Sequence, residues 1–295
     1  MHKSGASRLA VPTPSETALG YDSEFPFSAW VSLWIDSAGR LNVNDYDPIA
    51  EVFDDVMGTD FHAATHQLRR HVLQEHFHGQ ELVCLDLCCG TGIFFSLLAK
   101  DWSIRGLGID LSSRQVDVAR ARAQSHSSHL QYENGDVTRT GYPERVDLVT
   151  INFDALNHLR SAELWKQTFA KAYASLKRGG GLLFDINLLQ RLQGDWNKPE
   201  IIIKKHLMYI QVAFPPVYNS DGIIRRTHML VFSRMDCGAF RRVDAVVEHL
   251  AMPVDRVFSL LDNAGFREAR IVEAYRNEPR GHIFNKNRAF LFAIK

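Results

Sequence analysis

The stretch Val83-Cys84-Leu85-Asp86-Leu87-Cys88-Cys89-Gly90-Thr91-Gly92-Ile93-Phe94-Phe95 constrains the fold of this chain more than any other. An apolar run of strand length reaches an acidic residue, and two glycines follow before a second apolar run. This is the pattern of a buried parallel strand that turns into a helix around a ligand. Glycine lets the backbone approach that ligand, and a helix N-terminus offers its N–H groups to a carboxylate. Asp86 adds an acceptor suited to an ammonium group, so a zwitterionic amino acid fits the turn better than a phosphate does. The dinucleotide fingerprint needs a third glycine where this chain has Phe95, and no Gly-Lys-Ser/Thr follows to make a phosphate loop.

Two more acidic positions follow in order. Gly106-Leu107-Gly108-Ile109-Asp110 is a second apolar run ending in a carboxylate, where a doubly wound sheet bonds ribose hydroxyls. Gly135-Asp136-Val137 follows a third run. The ordered set Asp86-x-x-x-Gly90-x-Gly92, Asp110, Gly135-Asp136 resembles the class I S-adenosylmethionine-dependent methyltransferases across residues 80–190. The resemblance implies an α/β fold with a Rossmann-like, doubly wound, seven-stranded sheet that ends in an antiparallel hairpin. It also implies S-adenosyl-L-methionine as cofactor and S-adenosyl-L-homocysteine as product. The cofactor contacts it implies are Asp86, Cys88, Gly90, Gly92, Asp110, Leu111, Gly135, Asp136, Val137, Asn152 and Phe153, with Asp136 accepting from the adenine amino group.

Composition narrows the acceptor. The 34 basic and 34 acidic residues among 295 cancel, which gives no electrostatic case for nucleic acid or an anionic membrane. Three of the four cysteines fall between Cys84 and Cys89; they make no disulfide framework and read as small apolar residues in a crowded turn. No apolar stretch reaches membrane-spanning length, and the first residues lack the core of a signal peptide, so a cytoplasmic protein is expected. A small-molecule substrate and a monomer or homodimer complete the expectation.

Five regions are expected. Residues 1–20, rich in Ser, Thr, Ala and Pro, read as a flexible arm. Residues 21–80 read as a lid and helical segment, 81–190 as the cofactor-binding core, 191–250 as an inserted antiparallel β lobe, and 251–295 as the end of the core sheet. Within the lid, Tyr46 to Met57 shows helical spacing that ends at Gly58. The helix after it carries His62 and His66 one turn apart on what reads as a solvated face. No metal-binding pattern accompanies them, and no metal is expected. A later helix is expected to close on Lys177-Arg178 before Gly179-Gly180-Gly181, with the fifth strand starting at Gly181. The lobe shows three stretches of strand character, 201–214, 222–235 and 239–250, with Asn219-Ser220-Asp221-Gly222 as a hairpin signal. Such a lobe is similar to that of the deoxysugar N,N-dimethyltransferases.

Chemistry is expected at the exit of the fourth strand, Asn152-Phe153-Asp154-Ala155-Leu156-Asn157-His158, because ligands bind at the carboxyl ends of strands in open α/β sheets. His158 is the candidate base or acceptor, with Asp154 to orient it or to position a substrate amine. Trp30, Tyr46, Phe53, Met57, Asn157, Asp185 and Asn187 are the candidate substrate contacts, and Glu278 and His282 in the 276–287 linker are weaker ones. The expected reaction is methyl transfer to a nitrogen of a natural product or metabolite. Methylation of an aromatic carbon or oxygen is the alternative, and a non-catalytic cofactor-binding protein is the reading from another class.

Overall fold

The structure, a computed structural model, describes residues 46–78, 81–126, 129–272 and 287–295. Trp30, the 1–20 arm, Glu278 and His282 lie outside the described residues. Seven strands form the main sheet: β1 (Leu82–Leu87), β2 (Ile104–Asp110), β3 (Leu130–Asn134), β4 (Val146–Ile151), β5 (Leu176–Asn187), β11 (Arg267–Ile271) and β12 (Arg288–Ile294). Their spatial order is β11-β12-β5-β4-β1-β2-β3. The first five run parallel, β12 pairs antiparallel with β5, and β11 pairs antiparallel with β12. Chain order reverses between β1 and β4, which opens a crevice at their carboxyl ends.

Helices cover both faces because alternate strand residues bury on opposite sides. Leu85, Leu87, Val149 and Ile151 pack with Trp165 and Phe169 of α4 (Ala162–Ser175) and with Val257 and Leu261 of α6 (Val254–Ala264). Leu82, Cys84 and Leu148 pack instead with α1 (Thr59–His76), α2 (Ile93–Leu98) and α3 (Ser113–His126). A short α5 (Leu189–Gln193) leads from β5 toward a second sheet. That sheet holds β6 (Glu200–Lys204), β7 (Leu207–Ala213), β8 (Val217–Tyr218), β9 (Ile223–Arg234) and β10 (Phe240–Ala251), in the order β10-β9-β7-β6 with β8 beside β9.

Four local expectations are corrected. Gly58 does not stop a helix. Residues 47–49 form a 3-10 turn, and Asp54–Gly58 form a π-turn that runs directly into α1. A Cβ on Gly58 would stand 2.6 Å from Asp54 Oδ1, so the glycine makes room for that carboxylate. The helix before β5 ends at Ser175, and Lys177 is already extended and bonds Asp147 at 3.0 Å. The first lobe stretch folds back on itself at Lys205-His206, where Lys204 pairs with Leu207. That two-residue turn contains none of the Gly, Asn or Asp that mark such turns in sequence. Finally, His62 is buried rather than solvated.

One side chain ties the two sheets together. Asn157, with no exposed surface, donates from Nδ2 to the carbonyls of Asn187 on β5 (3.1 Å) and Leu250 on β10 (2.8 Å), and its Oδ1 accepts from the Asn187 N–H (2.9 Å). Its expected substrate contact is therefore replaced by a structural role. Asn157→Ala strands three buried polar groups and should lower the unfolding free energy by about 2–4 kcal/mol in urea titrations. A loss below ~0.5 kcal/mol, the range of ordinary surface substitutions, would show that the sheets hold together without it.

Candidate active site

A single cavity runs from the carboxyl ends of β1, β2 and β4 to the inner face of the second sheet. Of the residues expected to contact the cofactor, Asp86, Cys88, Gly90, Asp110, Leu111, Asp136, Val137, Asn152 and Phe153 line it. Gly92 and Gly135 do not line it but shape its walls. Gly92 caps α2 at φ +70°, where a Cβ would stand 2.7 Å from the Tyr132 hydroxyl, and Gly135 donates its N–H to the Asp110 carbonyl at 2.8 Å.

At the β1 end, Asp86 Oδ1 accepts from Thr150 Oγ1 (2.6 Å) and Asn152 Nδ2 (3.1 Å). Arg69 on α1 holds Asn152 in turn, donating to its Oδ1 at 3.0 Å. The second oxygen, Asp86 Oδ2, is buried at the cavity wall with no hydrogen-bond partner. Burial pushes the Asp86 carboxyl up to about 7, against the pull of Thr150, Asn152 and Arg69. Asp110 is better supplied, accepting from the Gly90 N–H and the Ser112 N–H, both at 2.8 Å, although burial raises it too. Asp136 Oδ1 accepts from the Thr138 N–H at 2.8 Å.

The segment of residues 46–58 closes the cavity with Tyr46, Phe53 and Met57. Two carboxylates latch it down. Asp47 Oδ1 accepts from Ser112 Oγ (2.5 Å) and the Arg114 N–H (3.1 Å) at the start of α3, and Asp54 accepts from Thr91 Oγ1 (2.6 Å) and from Arg122.

Beyond β4, Phe153 and Asp154 both adopt left-handed backbone, φ 58° and 50°. Asp185 grips this turn by accepting from both N–H groups, at 2.6 and 2.9 Å, and Arg288 binds both Asp185 and Asp154. Asp185 thus has no exposed surface and stays out of the cavity, which corrects its expected substrate contact. Burial pushes Asp154 up, but Arg288 and His249 hold it well below the usual carboxylate range. Asp154 does not orient His158 either. The imidazole Nδ1 donates to the Glu248 carbonyl (3.1 Å), and Nε2 then accepts from the Tyr46 hydroxyl (2.9 Å). Burial and neighbouring His249 hold His158 down to about 4, so it is neutral across the physiological range.

Asp154, His158 and His249 bring one ligand atom each within 4.8 Å of one another. The Asp154 oxygens are already engaged by Arg288 (2.6 Å) and Asn187 Nδ2 (2.7 Å). A divalent ion there would also stand beside a buried guanidinium, a like-charge contact that low dielectric magnifies. The group fits a proton or a ligand N–H better than a metal. Sequence reasoning missed His249, Trp196, Arg288 and Gln115 in the cavity wall. Gln115 reads from its spacing with Ser112 as half of a helix capping box, not as a cavity residue; of the other three, only Arg288, a charge before Ala289-Phe290-Leu291 in a late apolar strand, carried a signal.

The Asp86 carboxyl makes stability depend on pH. Its folded value, about 7, lies above the unfolded 3.8, so the folded state binds the extra proton and loses stability as pH rises from about 4 to 7. Asp86→Asn removes that penalty. Thermal melts should show the variant gaining on the wild type across this window, with a plateau above it. A gap that stays constant with pH would mean that Asp86 is already ionised near its ordinary value.

Comparison with known proteins bears on the domain and its fold. Residues 84–180 match the family described as Methyltransferase domain. YqeM of Bacillus subtilis (strain 168), named as a methyltransferase without a stated substrate, is 28% identical over 77% of this chain and 88% of its own length. A crystal structure of an S-adenosylmethionine-dependent methyltransferase from Clostridium acetobutylicum ATCC 824 superposes with a TM-score of 0.68 at 19% identity, covering 84% of this chain and 98% of that one. The sugar N-methyltransferase KedS8 from Streptoalloteichus sp ATCC 53650 gives a TM-score of 0.59 at 16% identity, covering 99% of each chain. With the domain match set on this sheet order, residues 84–180 form a methyltransferase domain, and the chain around them has the fold of an S-adenosylmethionine-dependent methyltransferase.

Proposed function

We propose that this enzyme methylates a nitrogen of a small-molecule acceptor held between the 46–58 segment and the second sheet. The cofactor fits the residues present. Asp86 Oδ2 offers an unpartnered buried acceptor for its ammonium group, and Asp110 and Asp136 suit the ribose and the adenine amine. The bound sulfonium supplies an electrophilic methyl group, and S-adenosylhomocysteine remains after transfer.

The observation that carries the nitrogen reading is the Tyr46–His158 hydrogen bond in this cavity. The Tyr46 hydroxyl donates to His158, which leaves its oxygen lone pairs to accept an N–H from the acceptor. Burial raises the Tyr46 hydroxyl well above its ordinary value, so it stays protonated. A histidine held to about 4 is a weak base for a phenol of pKa ~10. A neutral amine needs no proton removed before its lone pair attacks, so it is the acceptor that this pair suits. Tyr46 and His158 then position the nucleophile, and positioning alone is worth orders of magnitude in rate. One fold neighbour is named a sugar N-methyltransferase, in keeping with this reading.

Asn187 Oδ1 and Trp196 Nε1, both buried in the cavity wall without partners, favour an acceptor with a second hydrogen-bonding group. Ile202, Met229 and Val247 in the same cavity lining are apolar, which favours the aromatic carbon or oxygen acceptor as the second reading.

The test is a panel of amines, phenols and indoles with labelled cofactor. Turnover of amines is expected, while phenols or indoles alone as substrates would overturn the nitrogen assignment. On the best amine, Tyr46→Phe and His158→Ala should each lower kcat by roughly 10²-fold, the scale of a misplaced reactant. The double variant should do little further damage, because the two act as a unit, and calorimetric affinity for S-adenosylhomocysteine should be unchanged. Full turnover in the folded single variants would remove the pair from the mechanism.

A further inference from the structure

The first turn of α3 holds a polar group that neither the fold nor the reaction has used. Ser112 and Gln115 have the spacing of a capping box, in which the serine caps the helix and the later side chain reaches back to the serine N–H. Only half of the box forms. Ser112 Oγ accepts from the Gln115 N–H at 3.2 Å, but the Ser112 N–H is taken by Asp110 Oδ1 at 2.8 Å. The Gln115 side chain is released from capping and turns into the cavity wall, 3% exposed. Its Nε2 is buried there without a hydrogen-bond partner. Buried amide donors without partners are rare in folded proteins and point to a missing acceptor.

Its neighbours identify that acceptor. A Cβ on Gly90 would stand 2.8 Å from Gln115 Oε1, so the absence of a side chain at Gly90 gives this amide its place. The Gly90 N–H itself donates to Asp110 Oδ2 at 2.8 Å. Gln115, Gly90 and Asp110 therefore meet at one corner of the cavity. Asp110 is a pure acceptor when ionised, whereas a hydroxyl both donates and accepts. An amide donor beside a carboxylate acceptor is the complement of a hydroxyl.

We propose that Gln115 Nε2 donates to a ribose hydroxyl of the bound cofactor while that hydroxyl donates to Asp110, so that the two side chains read the sugar together. This rests on the assignment of Asp110 to the ribose. Gln115 then discriminates between ribose and deoxyribose cofactor analogues, which a capping or packing residue does not.

Calorimetry with S-adenosylhomocysteine and its 2′-deoxy and 3′-deoxy analogues tests this, using the full chain and the variants Gln115→Leu and Gln115→Met, with thermal melts to confirm folding. Both variants should bind S-adenosylhomocysteine about tenfold more weakly than the wild type, the scale of one lost hydrogen bond. For one of the two deoxy analogues, wild type and variants should bind alike, because the hydroxyl that Gln115 serves is absent. Equal losses on all three ligands would overturn the ribose contact, and unchanged affinity for S-adenosylhomocysteine would overturn any contact. A wild type that binds none of the three would instead overturn the cofactor geometry on which the proposal stands. An Asp110→Ala variant that keeps full affinity beside a ribose-dependent Gln115 effect would separate the two, removing Asp110 from the sugar and with it the paired readout.

Discussion

The site depends on one buried ionic cluster, Arg288 between Asp154 and Asp185. The backbone leaves β4 through two successive left-handed residues, Phe153 and Asp154, neither of them glycine. Each such residue costs about 1–3 kcal/mol unless its surroundings hold it. Asp185 holds both N–H groups and Arg288 holds Asp185, so the turn persists only while the guanidinium is in place. Removing one partner of a buried ion pair typically costs about 3–5 kcal/mol, comparable with the roughly 2–6 kcal/mol of strain in the two residues together. The guanidinium also lies 5.0 Å from the Phe61 ring centroid and 5.6 Å from that of Phe153, which joins the cluster to the stacked pair those rings form at 4.1 Å. The final strand, β12, thereby fixes the path of a loop more than a hundred residues earlier.

Much of the fold was legible because buried parallel strands announce themselves. The runs ending at Asp86 and Asp110 are apolar on both faces, and the acidic residue at each end marks where the sheet meets its ligand. The cofactor end of the cavity followed from the same residues. The acceptor end was less legible for a physical reason: its walls come from β5, β10, β12 and the 46–58 segment, and no local pattern tells which of their polar residues converge. Asp185 and Asn157 have the polarity of ligand contacts, yet both are occupied by backbone groups. His249 and Trp196 sit in stretches that read only as strand or loop. The Lys205-His206 turn escaped notice because alternation continues through it without a turn residue.

The unsatisfied polar atoms divide the cavity more sharply than its shape does. Asp86 Oδ2 and Gln115 Nε2 mark one end, and Asn187 Oδ1 and Trp196 Nε1 mark the other. The Tyr46–His158 pair lines the same cavity with both partners neutral. Its hydrogen bond fixes the direction of each polar group without supplying charge, so what the pair offers a ligand is alignment.

The latch over the cavity has a kinetic meaning as well. Asp47 and Asp54 fasten the closing segment to the first turn of α3, to Thr91 and to Arg122, all within or next to the elements that surround the cofactor end. A ligand beneath that segment is covered while these contacts hold. The Asp54–Arg122 pair is only about a fifth exposed, so salt screens it less than it screens a surface pair, and the rate at which the latch opens should change little over ionic strengths that loosen the ion pairs at the protein's edge.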